Sequence, residues 1–145
     1  MKKLSILFLS ILTVGLSVVS CSSDDNDDNA SIEGKWEIVQ SGIIANGKES
    51  VIPILTDGNC GNATFEYFAD GKFIDTTTEF WDSKCSTYVE NGTWTKDGNT
   101  LNLKYGDDET SKIEILELSK SRLKIKFAYS EENVSITGFS IYERK

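Results

Sequence analysis

The sequence predicts an all-β domain, an eight-stranded antiparallel up-and-down β-barrel, behind an exported leader. Three observations predict it. Past residue 31 the apolar residues recur with period two, as in Trp36/Ile38, Leu101/Leu103/Tyr105 and Leu123/Ile125/Phe127. Hairpin dipeptides punctuate these runs, among them Asp70-Gly71 and Asp97-Gly98. No stretch after the leader shows a convincing helical period. Eight sequential strands linked by short turns form a meander, and closing it removes the exposed edges that an open sheet would carry. A two-sheet sandwich is the alternative from pattern alone.

The first strand spans residues 32–40, with Trp36 and Ile38 on one face and Lys35 and Glu37 on the other. Gly34 permits close backbone approach or a bend at its start. Residues 42–61 hold Asn46-Gly47, Pro53, Asp57-Gly58 and Gly61, so a long loop is expected there, its apolar middle folding over one barrel end. The second strand is 62–69, with Phe65 and Tyr67 on one face, and the third is 72–80. Phe80 to Cys85 reads as a turn carrying two large aromatics. The fourth strand, 86–96, contains Asn91-Gly92, where a bulge or bend is expected. Strands at 100–105, 112–118, 122–129 and 134–143 complete the set. Ile113 and Ile115, then Leu116 and Leu118, change phase within the sixth of them, which predicts a bulge there.

The N-terminus is of another kind. Lys2 and Lys3 precede an apolar run over residues 4–19, shorter than the ~20 residues a spanning helix needs. It ends in Val18-Val19-Ser20-Cys21, which resembles the bacterial lipoprotein box. That resemblance implies cleavage after residue 20, lipid on Cys21, and an address at the bacterial outer membrane. The next residues, Ser22 to Asn29, are Ser, Asp and Asn only, and cannot pack. Residues 21–31 are therefore expected to be the lipidated cysteine and a flexible acidic tether. The run also resembles the export signal of surface-exposed Bacteroidetes-type lipoproteins. Asp24, Asn26 and Asp28 have the first spacing of a calcium loop, but the central Gly is missing and Lys35 stands where the loop needs Glu.

About 125 residues remain after the leader, one domain with a modest core. Losing Lys2 and Lys3 takes the net charge from −8 to −10. An acidic chain repels phosphate backbones, which excludes nucleic acid as a partner. There is no histidine, hence neither the commonest general base nor the commonest transition-metal ligand. Nucleophile-elbow, phosphate-loop and dinucleotide motifs are all lacking. Glu66, Asp75 and Glu79 are the acids available for glycoside chemistry, and isolated strand acids are more often solvated faces. The chain is read as no enzyme, with no cofactor and no metal.

Several short pieces, taken in order, resemble a known family. They are Gly34-Lys35-Trp36, then residues 64–73, then Asn91-Gly92-Thr93-Trp94, then residues 97–101, and finally Leu116-Glu117-Leu118 with residues 122–125. The series, covering 32–145, looks like the lipocalin-like domain of Bacteroidetes-type lipoproteins. The resemblance implies a lipocalin-like barrel over 32–145 with Gly34, Trp36 and Trp94 as its structural signature. It implies no single activity.

With Cys21 lipidated, Cys60 and Cys85 form an even pair in an oxidising setting, and a disulfide is expected. Two free thiols or a metal pair are the alternatives. Phe80, Trp81, Tyr67 and Tyr88 are the candidate ligand or partner contacts. Two functional readings follow. In the first, a membrane-anchored barrel binds a small hydrophobic ligand. In the second, a filled barrel engages another envelope protein through its loops. The large inward residues Trp36, Phe65, Tyr67, Trp94, Tyr105 and Phe127 favour a crowded interior. Either Thr76 and Thr78, or Asp75 and Thr77, would make part of the lining polar.

Overall fold

The structure, a computed structural model, describes residues 30–54, 60–131 and 134–145. The leader, Cys21 and Ser22 to Asn29 lie outside the described residues, as do the expected Asp57-Gly58 turn and Glu132 and Asn133.

Every element among the described residues is a strand. They are β1 (Gly34–Ala45), β2 (Lys48–Ile52), β3 (Thr64–Tyr67), β4 (Lys72–Trp81), β5 (Lys84–Asp97), β6 (Thr100–Tyr105), β7 (Ser111–Leu118), β8 (Arg122–Glu131) and β9 (Val134–Arg144). All neighbours are antiparallel, and β1 closes the sheet by pairing with β9 from Trp36 to Ile44. Eight strands thus form the closed barrel. The ninth, β2, is an addition to it.

That addition corrects the reading of residues 42–61 as one long loop. β1 does not stop near residue 40. A register shift between Ile38 and Gln40 bends it, and it runs on to Ala45. Asn46 and Gly47, both at positive φ (51° and 72°), make the two-residue turn that leads into β2. The Asn-Gly signal was legible, but strand periodicity is masked here because Ser41, Ile43 and Ile52 face one way while Gly42 and Val51 face the other. Pro53 then ends β2, since it has no N–H for a ladder.

β1 has two neighbours on the same side. Its first residues, Gly34 to Glu37, pair with β3, and its later residues, Ser41 to Ala45, pair with β2. β2 leans over the outside of the barrel. Glu49 on β2 reaches Lys124 on β8 at 2.7 Å, and the Lys124 ammonium lies 5.0 Å from the Phe139 ring centroid. Phe139 and Ile141 are therefore buried although they face outward.

Two further expectations need correction. Asn91-Gly92 produces no bulge, because β4 and β5 stay in register from Lys72/Thr93 to Trp81/Lys84. Gly92 is there for another reason. It pairs with Phe73, whose ring lies against the position a Gly92 Cβ would take, as does the Lys104 carbonyl oxygen. Phe127 covers Gly138 in the same manner. A large ring laid across a glycine lets the inner wall curve without leaving a void. Second, Phe80 to Cys85 is not an irregular turn. β4 and β5 run out to Trp81 and Lys84, joined only by Asp82 and Ser83 at φ 50° and 60°. The predicted bulge in β7 is present, between Ile115 and Glu117.

Candidate functional site

The register sorts every strand into an inner and an outer face, and the inner wall changes along the barrel axis. At one end it is filled. Trp36 is 0% exposed and packs with Ile32, Tyr67, Leu101, Leu103, Leu123 and their neighbours. Arg144 holds this end shut. Its guanidinium lies 4.1 Å from the Trp36 ring centroid and donates to the carbonyl oxygens of Ser31 (2.7 Å), Glu33 (2.5 Å) and Lys120 (2.6 Å). The Trp36 indole N–H donates to the Ile32 carbonyl at 2.6 Å. Gly34 is required beside this clamp. Its φ is +112°, and a Cβ there would sit 2.7 Å from Arg144 Nη1. Trp36 is thus placed as a plug. Trp94 also faces inward, its indole N–H donating to the Phe68 carbonyl at 3.1 Å.

Midway along the axis the lining is aromatic. Phe65 stacks on Tyr67 at 5.9 Å, and Phe73 meets Tyr105 edge-on at 4.9 Å. Tyr142 meets Phe65 edge-on at 6.0 Å. Tyr67 and Phe127 face inward with the other expected large residues. Of the candidate ligand or partner contacts, Tyr67 is buried in the core, while Phe80, Trp81 and Tyr88 are exposed.

Above this layer the inner face turns polar. Asp75 pairs with Phe65 on one side and Glu90 on the other, and Thr77 pairs with Tyr88. Of the two alternatives for a polar lining, Asp75 and Thr77 face in, while Thr76 and Thr78 face out. Tyr105 donates to Asp75 Oδ2 at 2.9 Å. Burial raises the Asp75 carboxyl above the ordinary carboxylate range; the Tyr105 hydrogen bond opposes that, and the neighbouring Glu90 charge adds to it. Burial, then the Asp75 charge, holds the Tyr105 hydroxyl far above its usual range. The Tyr142 hydroxyl is pushed up to about 12, chiefly by burial. Glu66 faces outward opposite Ile74, so the three acids considered for glycoside chemistry do not converge.

The β4–β5 hairpin projects beyond this polar zone. Trp81 at its end is 81% exposed, and Phe80, Tyr88 and Val89 are exposed too. Cys60 and Cys85 are bonded, with Cα atoms 5.4 Å apart. The bond fastens the chain entering β3 to the outer face of this hairpin. Among the described residues, no group of three or more metal-ligating side chains comes together.

The sequence profile of the lipocalin-like domain matches residues 21–125. The chain belongs to that family. The match stops within β8, yet the described strands show the lipocalin-like barrel closing through β9 beyond it. The fold is similar to that of a lipocalin-like protein from Bacteroides uniformis, at TM-score 0.51 and 15% identity, covering 78% of this chain and 97% of that one. It is similar also to an uncharacterized protein from Bacteroides eggerthii, at TM-score 0.52 and 10% identity, covering 79% and 100%. No curated protein sequence matches the chain. At these identities the likeness shows a lipocalin-like fold and nothing finer. Of the inner polar zone, the sequence offers Asp75 with Thr77 as one of two alternative polar linings and Tyr105 as an inward residue, while Glu90 is missed. The zone's signal was the polar run in the third strand, whose inward half only the register identifies.

Proposed function

We propose that this lipocalin-like domain is a lipid-anchored binding module of the bacterial envelope, taking a small ligand with an apolar body through the open end of its barrel. The observation that supports it is the change in the inner wall. The half near Trp36 is filled by buried side chains, while the other half presents Asp75, Thr77, Tyr88 and Glu90, which reach solvent from the inner face. A barrel meant only as a filled scaffold has no need of inward carboxylates, which cost free energy to desolvate. A small site ringed by aromatics with a few polar groups is what ligand recognition uses.

The anchor is the second half of the proposal. The tether would join the barrel at the end where Arg144 clamps Ser31 and Glu33, opposite the projecting hairpin. With lipid on Cys21, the open end would then face away from the anchoring membrane. Two acyl signals suffice for stable anchoring where one does not. Cys21→Ser should move the protein from the membrane to the soluble fraction; unchanged fractionation refutes the anchor.

Native mass spectrometry of the protein from its own cells tests the binding half. A co-purifying small molecule, released on denaturation, is the expected result. A clean apo mass across growth conditions would count against it. One observation favours the second reading, engagement of another envelope protein: Phe80 and Trp81 are both exposed at the end of the β4–β5 hairpin. Trp81→Ala separates the two, since it would abolish protein partnering and leave a ligand deep in the barrel bound.

A further inference from the structure

The β4–β5 hairpin outruns the strands beside it. β6 pairs with β5 only from Gly92 to Asp97. From Ser86 to Asn91, β5 therefore has β4 on one side and, among the described residues, no strand on the other. β7 pairs with β8 only from Leu123 to Lys126. The two strand positions that β6 and β7 fill lower in the barrel are thus left without a described strand at the open end.

Alternate residues of this edge direct their backbone groups outward. Trp81 and Lys84 flank a two-residue turn, so Lys84 directs its N–H and C=O at β4. The Trp94 N–H, which donates to the Gly71 carbonyl at 2.8 Å, keeps the same alternation. Thr87 and Val89 therefore direct theirs away from β4. Edge strands are commonly blunted by Pro, Lys or a bulge. Ser86 to Asn91 contains neither Pro nor Lys, and its pairing with β4 shows no register shift. Tyr88 and Val89, on its two faces, are 54% and 56% exposed. β2, by contrast, begins at Lys48 and is followed by Pro53.

The segment is complementary to itself. We propose that two copies of the chain pair through this edge, antiparallel and two-fold symmetric, with Thr87 opposite Thr87 of the second copy. Thr87 then exchanges both backbone hydrogen bonds with its counterpart. Lys84 stands opposite Glu90 of the second copy, and by symmetry this ion pair is made twice. Two limits set the register, which moves in steps of two because outward-directed residues must meet. One step deeper brings Lys84 of the second copy to Gly92, an edge already held by Tyr105. One step shallower puts Lys84 opposite Tyr88 and loses both ion pairs. In the dimer, β5 and β4 of the second copy take the two positions above β6 and β7. The open ends, directed away from the membrane in a single copy, then face each other.

Sedimentation equilibrium of the full chain carrying Cys21→Ser, which bears no lipid, reads the assembly. A monomer–dimer equilibrium in the micromolar range is expected. Lys84→Glu and Glu90→Lys should each raise the dissociation constant at least about tenfold, because two attractions become two repulsions. The double variant should return it to the wild-type value. Thr87→Pro should abolish the dimer and leave the fold intact by circular dichroism, since the N–H it removes points away from β4. A wild-type monomer at about 500 µM overturns the proposal and leaves the edge to a strand of another protein. A dimer indifferent to Thr87→Pro, or single reversals whose combination does not recover it, overturns it as well.

Discussion

Arg144 is the residue whose replacement most directly tests how the closed end is held. It joins three backbone carbonyls from two separate segments, Ser31 and Glu33 before β1 and Lys120 between β7 and β8. It also covers the Trp36 ring. A charged donor's hydrogen bond contributes about 1.5–3 kcal/mol when well protected, and these bonds are exposed, so the low end applies. The guanidinium, itself still reaching solvent, lies over the buried Trp36 ring and adds about 0.5–1 kcal/mol. Simple addition gives about 5 kcal/mol, an upper bound because bonds made by one group are not additive, so Arg144→Ala should cost about 3–5 kcal/mol. Arg144→Lys is the sharper variant. An ammonium keeps the charge but is a point donor and lacks the planar fork that reaches carbonyls in different directions. It should retain one bond and lose two, about 3 kcal/mol at most. Urea unfolding measures both, with the m-value unchanged if only the native clamp is altered. Amide exchange at Ile32 and Glu33 should accelerate in both variants, because the segment would open without global unfolding. A lysine variant within about 0.5 kcal/mol of the wild type would falsify the argument, since charge alone would then account for the clamp.

Two other outcomes follow from the same structure. The Cys60–Cys85 bond spans a sequence separation of 25, for which loop-closure entropy corresponds to about 3.5 kcal/mol; the double Cys→Ser variant should melt roughly 10 °C lower, and a shift of only a degree or two would show that the unfolded chain is not the state the bond acts on. Asp75→Asn should alter stability in a pH-dependent way. The Asp75 carboxyl is raised above 3.8 in the folded state, so its favourable contribution is present below 3.8 and is lost as pH rises through the raised value. The asparagine variant, which keeps an acceptor for Tyr105, should match the wild type near pH 3 and exceed it at pH 7; a variant less stable at pH 7 than at pH 3, relative to wild type, refutes burial as the dominant cause.

Much of the barrel was legible from local pattern. β6 and the turn before it follow from Asp97-Gly98 and Leu101/Leu103/Tyr105, and the bulge in β7 from the phase change at Leu116. These features depend on side-chain alternation and turn chemistry, which act over a few residues. The β1–β2 hairpin was not legible, though Asn46-Gly47 marked its turn. Its placement depends on distant partners, Lys124, 75 residues from Glu49, and Phe139, whose ring lies against Gly42 of β1. Gly92 was misread for the same reason: Phe73, not the local chain, decides why it must be glycine.

The sequence alone determined that this chain is a strand-built, acidic domain with a Gly34-x-Trp36 opening and a histidine-free set of side chains, because composition and period are local properties. Only the tertiary structure decided which residues meet. Arg144 closes over Trp36, and Asp75 meets Tyr105, because antiparallel closure brings the first and last strands together and register decides which alternate residues turn inward. A one-residue slip in β4 would have left Thr76 and Thr78 inside and Glu90 of β5 as the carboxylate at that level.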